Sequence, residues 1–116
     1  MATYTKAKLS GSTNGLGIKV AATATAGTLI HTAVSGTSAW DEIWLYAYNS
    51  HTADVLLTIE FGGVTSPDNH VKMTIPFQSG RYLVLDGRLL QNSLVVRAFA
   101  ATANVIVIDG FVNQIA

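Results

Sequence analysis

The side chains best suited to proton transfer or metal binding near neutral pH are three histidines, His31, His51 and His70. They lie on three separate segments, with no i,i+2 or i,i+4 pairing and no carboxylate cluster around them. A metal site needs three or four converging ligands, so this spacing argues against one. Asp54 and Asp68 fall near His51 and His70, but in turn sequences, where aspartate is expected for backbone reasons. With eight serines and thirteen threonines, a histidine meets a hydroxyl by chance, and no Gly-x-Ser-x-Gly elbow is present. Asp41 and Glu42 are adjacent, so on a strand they point opposite ways and cannot form a glycosidase pair. Gly15-Leu-Gly17 is a fragment of a dinucleotide fingerprint without the strand–turn–helix context that would give it meaning. No catalytic set, cofactor or metal is expected, and the chain reads as a non-enzyme.

The aromatic residues are the stronger candidates for function. Trp44, Tyr46 and Tyr48 project from one face of one strand, with Trp40 just before them. Such a row serves a fold as core, serves a protein contact as an interface patch, or serves a sugar as a stacking platform. For the sugar, Glu60 and Asn49 are the polar candidates. Arg97 shares a strand face with Val95 and Phe99, where it acts as an interface anchor or as an ion-paired interior group, with Glu60 as the candidate partner.

These residues are carried by a period-two chain. Ile43, Leu45 and Ala47 alternate with the aromatic row, and Val55, Leu57, Ile59 and Phe61 alternate with Leu56, Thr58 and Glu60. The same rhythm recurs through Val71–Ile75, Tyr82–Leu85, Leu94–Ala100 and Val105–Ile108. Turn sequences separate the segments, among them Gly62-Gly63, Ser66-Pro-Asp-Asn69, Asp86-Gly87 and Asp109-Gly110. The pattern predicts an all-β antiparallel sandwich of about eight strands with little helix, a jelly roll being one arrangement of that kind. Strand order stays open. Residues 1–28 are small and polar, and are set apart as an N-terminal arm or an edge segment; residues 29–116 form the β-sandwich domain.

The chain has 116 residues, no cysteine and a net charge of +0, with only 12% charged residues. Soluble domains usually carry about 25%. Neutrality argues against nucleic acid as a partner. No apolar run is long enough for a membrane helix, and Met1–Lys8 lacks the apolar stretch of a signal peptide, so a soluble, intracellularly made protein is expected. Several strands are apolar on both faces: Leu56, Val95, Phe99, Ile106 and Ile108 lie opposite faces that are already hydrophobic. An antiparallel sandwich should have one wet face per sheet, so the extra apolar surface predicts a cover, which is a loop, the N-terminal segment or another subunit; the low charge fits the third and points to an oligomer.

From Ile43 to Ile115 the chain resembles small tailed-bacteriophage virion proteins of the capsid decoration (cement, or head auxiliary) kind. The likeness is carried by Tyr46-Ala-Tyr-Asn-Ser-His51, Leu57-Thr-Ile-Glu-Phe-Gly-Gly63, Ile75-Pro-Phe-Gln-Ser-Gly80, Leu90-Gln-Asn-Ser-Leu94 and Val107-Ile-Asp-Gly-Phe-Val112. It implies a β-rich structural protein, often a homotrimer, that is made in the host cytoplasm and sits on the virion surface. There it bridges subunits of the major capsid protein, with no cofactor or reaction. On that reading Tyr4, Lys6, Lys8 and Leu9 are expected to meet the capsid, and Leu56, Arg97 and Phe99 to join the copies. A virion-displayed lectin-like module using Trp44, Tyr46 and Tyr48, or a tail or neck component, are the alternatives.

Overall fold

A computed structural model describes residues 2–116. Nine strands follow one another: β1 (Tyr4–Lys8), β2 (Ile18–Lys19), β3 (Thr28–Thr32), β4 (Trp40–Asn49), β5 (Val55–Phe61), β6 (His70–Ile75), β7 (Tyr82–Leu90), β8 (Val95–Ala100) and β9 (Ile106–Ile115). They form two antiparallel sheets, and no helix occurs among the described residues. Sheet A runs β1-β9-β4-β7, with β2 also pairing to β9; sheet B runs β3-β8-β5-β6.

The pairing is nested. β2 meets β9, β3 meets β8, β4 meets β7 and β5 meets β6. The chain runs out through β2–β5 and returns through β6–β9, as one long hairpin rolled so that successive pairs fall in opposite sheets. Within each sheet the pairs are joined side by side, by β4–β9 in sheet A and by β5–β8 in sheet B. This is the strand order of a jelly roll.

Alternation explains which residues enter the core. Ile43, Leu45 and Ala47 of β4, Leu57 and Ile59 of β5, Val96, Ala98 and Ala100 of β8, and Ile106 and Ile108 of β9 are all fully buried between the sheets. The leading segment belongs to the same body. Both β1 and β2 pair along β9, and Leu9, Ile18 and Val20 are core side chains. Leu9 is 1% exposed, so it cannot meet a capsid through its side chain, and it leaves the set expected for that contact. The core reading of the aromatic row is also overturned. Because Ile43, Leu45 and Ala47 take the inward phase of β4, Trp44, Tyr46 and Tyr48 stand on the outer face of sheet A.

Candidate functional site

The outer face of sheet A gathers two groups that are far apart in sequence. In β1, Tyr4, Lys6 and Lys8 lie opposite Ile115, Asn113 and Phe111 of β9. Those same β9 residues lie opposite Trp40, Glu42 and Trp44 of β4, and Tyr46 and Tyr48 continue the row beside Asp109 and Val107. The residues expected to meet the capsid, Leu9 excepted, and the aromatic row therefore form one surface.

Its interior is ordered by ring contacts. Trp44 and Phe111 stack with centroids 6.1 Å apart and planes 13° from parallel. Lys6 Nζ sits 4.3 Å above the Phe111 ring, and the Arg81 guanidinium 4.1 Å above the Tyr46 ring. Arg81 also grips Asp109, with Nη2 donating to Oδ1 at 2.8 Å and Nε at 3.0 Å, which raises its already high pKa. Trp40 and Tyr48 remain the most open rings of the row, at its two ends.

Glu42 lies within this face. Trp44 Nε1–H and Asn113 Nδ2–H both donate to its Oε1, at 2.8 and 3.0 Å, and hold the carboxyl below the usual carboxylate range. A carboxyl whose folded value is depressed adds stability above its unfolded pKa and loses that contribution as pH falls through the folded value. Glu42→Gln should therefore melt below the parent protein near neutrality, and the gap should close as the solution is acidified past the carboxylate range. Melting temperature against pH checks this.

The outer face of sheet B holds the other expected set. Phe99 lies opposite Thr58, Arg97 lies opposite Glu60, and Leu56 sits two positions further along the same face of β5. Leu29 of β3 joins beside Arg97, and both Leu29 and Leu56 are exposed. This face also contains a buried carboxylate. Glu60 is fully covered. Its Oε1 accepts the Gly27 N–H at 2.7 Å, its Oε2 accepts the Thr25 hydroxyl, and His70 Nε2 lies 3.4 Å away. Arg97 Nη1 donates to the Gly27 carbonyl at 3.3 Å. The expected Arg97–Glu60 ion pair does not form within 4.0 Å; both side chains instead hold the loop before β3, Glu60 by its N–H and Arg97 by its C=O.

A second buried pair spans the sandwich. His31 Nε2 and Asp41 Oδ2 are 2.7 Å apart and nearly inaccessible to solvent. His31 Nδ1 accepts the Ser10 N–H, so the ring proton resides on Nε2 and points to Asp41. Asp41 Oδ2 also accepts from the Val34 N–H. Serine, histidine and aspartate thus meet here, but not as a nucleophilic triad. The Ser10 Oγ accepts the Thr32 N–H at 2.7 Å, and the acceptor nitrogen of the ring is already filled by a backbone donor. No lone pair is left to deprotonate a hydroxyl, and the set acts as a clasp joining the leading segment to β3 and β4. Among the described residues no group of three or more His, Asp or Glu side chains is placed to hold a metal ion. His51 sits half-exposed in the loop after β4.

The polar groups suggested for a sugar are both withdrawn from that face. Glu60 is buried on the opposite sheet, and Asn49 is buried at the end of β4, donating to the Ala53 and Ile75 carbonyls. An open cavity of about 230 Å³ borders sheet B between the β5–β6 and β7–β8 loops, with Arg97 in its wall. No family model, curated protein or solved structure is matched by this chain.

Proposed function

We propose that this protein is a non-catalytic structural component of a tailed-phage virion that decorates and stabilises the capsid. The outer face of sheet A would seat on the major capsid protein, and the outer face of sheet B would join copies of this chain, with a trimer favoured. The observation that carries the reading is the pair of apolar outer faces. Trp40, Trp44, Tyr48 and Phe111 stand on one, and Leu29, Leu56, Val95 and Phe99 on the other, in a chain with only 12% charged residues. The resemblance supplies the virion setting. Aromatic side chains mixed with lysine suit a protein contact, where Trp, Tyr and Arg concentrate binding energy. The lectin-like alternative uses the same row, but Arg81 already covers Tyr46, Lys6 covers the neighbouring Phe111, and both suggested hydroxyl partners, Glu60 and Asn49, are buried away from that face.

The test is to mix the protein with capsid shells assembled without it and to sediment them together. Wild type should bind in many copies per shell; a few to a dozen copies per particle would mean a tail or neck position. Lys6→Glu with Lys8→Glu should weaken shell binding without unfolding the exposed β1 edge. Phe99→Glu should weaken self-association by about 30-fold, the effect of losing an anchor of roughly 2 kcal/mol. A monomer that leaves the shells bare overturns the proposal.

A further inference from the structure

Arg97 is half-buried on the outer face of sheet B, yet no carboxylate lies within 4.0 Å of its guanidinium among the described residues. Glu60, opposite it in register, is engaged by Thr25, Gly27 and His70. One Arg97 nitrogen bonds the Gly27 carbonyl, leaving several of the five guanidinium N–H donors over. Beside it the cavity of about 230 Å³ is walled by Gly62, Val64, Leu94 and Val95, with Ser93 at its edge. Val64 and Leu94 are exposed there. Apolar walls with a guanidinium at one side suit an aliphatic side chain carried next to a carboxylate.

This chain displays that combination on its other sheet. β7 is an edge strand of sheet A. Asp86 on it is exposed and takes part in no ion pair among the described residues. Leu83 and Leu89 of the same strand are each 45% exposed. A register shift at Gly87 sets Asp86 opposite Trp44 and Leu89 opposite Glu42, so both face outward. Trp44 and Glu42 are two positions apart, which puts Asp86 and Leu89 about 7 Å from each other. Val95 and Arg97 are also two positions apart on one face of β8, so the spacing of socket and plug agrees. The other acids are engaged or badly placed. Asp41 holds His31, Glu42 holds Trp44, Asp54 accepts from Phe77, and Asp109 holds Arg81. Asp68 lies between Pro67 and Asn69 on the loop that rims the cavity itself.

We propose that the cavity is the socket of a head-to-tail contact between copies of this chain. Leu89 of one copy enters it against Leu94 and Val95, and Asp86 pairs with Arg97. The two surfaces differ, so the contact is heterologous, and repetition with a suitable rotation closes a ring. The inference rests on the self-association half of the proposed function; it takes the β7 edge of sheet A for the contact between copies and leaves the β1–β9–β4 part of that face to the capsid.

The absence of native cysteine makes the test clean. Copies carrying Ser93→Cys are mixed with copies carrying Leu89→Cys under mild oxidation. A disulfide needs the two Cα atoms within about 7 Å, so a covalent heterodimer reports the contact directly. The expected yield is several-fold above that of Ser93→Cys mixed with Thr52→Cys, a pairing with an exposed loop, and it should fall to that background when Asp86→Arg is added to the Leu89→Cys copy. A yield equal to the Thr52→Cys control, or one indifferent to Asp86→Arg, overturns the inference. Because the assay uses free protein, bare shells beside an intact cross-link would count against the capsid contact alone.

Discussion

Glu60→Ala is expected to destabilise the fold by about 3 kcal/mol, and thus to lower the melting temperature by roughly 12 °C. The carboxylate is fully covered and serves three groups at once. Its removal strands the Gly27 N–H and the Thr25 hydroxyl and takes away the carboxyl oxygen 3.4 Å from His70 Nε2, on a ring whose two nitrogens have no other hydrogen-bond partner. Arg97 simultaneously loses the neighbour opposite it in register. A buried polar group left without a partner costs far more than an average hydrogen bond contributes, which is why truncation exceeds the cost of a surface change. Glu60→Gln keeps an acceptor for Gly27 and should lose less than half as much. Amide exchange separates a local from a global effect. In Glu60→Ala the Gly27 amide should exchange much faster, whereas the Leu45 and Ile108 amides of the central pair should accelerate only in step with global stability.

Gly110→Val should be comparably severe, at about 3 kcal/mol or more, or should prevent folding outright. Gly110 lies opposite Leu45 in the central β4–β9 pair and has φ +150°, a conformation that side chains rarely adopt. A Cβ there would overlap the Trp44 carbonyl oxygen and press within 3.2 Å of the Leu45 Cα. Both obstacles are backbone, so no rotamer change relieves them. The strand pair must open at the point where sheet A carries the Trp44–Phe111 stack. Gly80→Val offers the contrast: that glycine also has positive φ, but its added Cβ would meet nothing within 4 Å, so only conformational strain of about 1 kcal/mol is expected. Urea unfolding of the two variants should separate their midpoints clearly.

The strands and their turns were readable because alternation and turn residues are local signals. The rolled order of the strands was not, since pairings such as β2 with β9 join residues nearly ninety positions apart and leave no local trace. The phase of β4 shows the limit of periodicity. Period two places Trp44, Tyr46 and Tyr48 together, but both faces of that strand are apolar, so nothing in the pattern says which turns inward. Tertiary packing decides it in favour of Ile43, Leu45 and Ala47. On β8 the inward phase goes to Val96, Ala98 and Ala100, which leaves Arg97 and Phe99 outside, just as Leu57 and Ile59 leave Leu56 outside on β5.

The two buried histidine–carboxylate pairs were missed for different reasons. Glu60 and His70 face each other on the β5–β6 hairpin, but the register is centred on Thr65, and counting back from the Ser66-Pro67 turn would have set Glu60 opposite Met73 instead. His31 and Asp41 lie on strands of opposite sheets, so their meeting depends on the roll itself. Lys6 above Phe111 likewise required β1 to lie along β9.

Sedimentation equilibrium of the free protein over a wide concentration range probes the account at its foundation, the claim that the outer face of sheet B is a contact between copies. The expected mass is a small multiple of 12.3 kDa, a trimer for choice, with the multiple lost in Phe99→Glu. A mass of one chain at every concentration would contradict it.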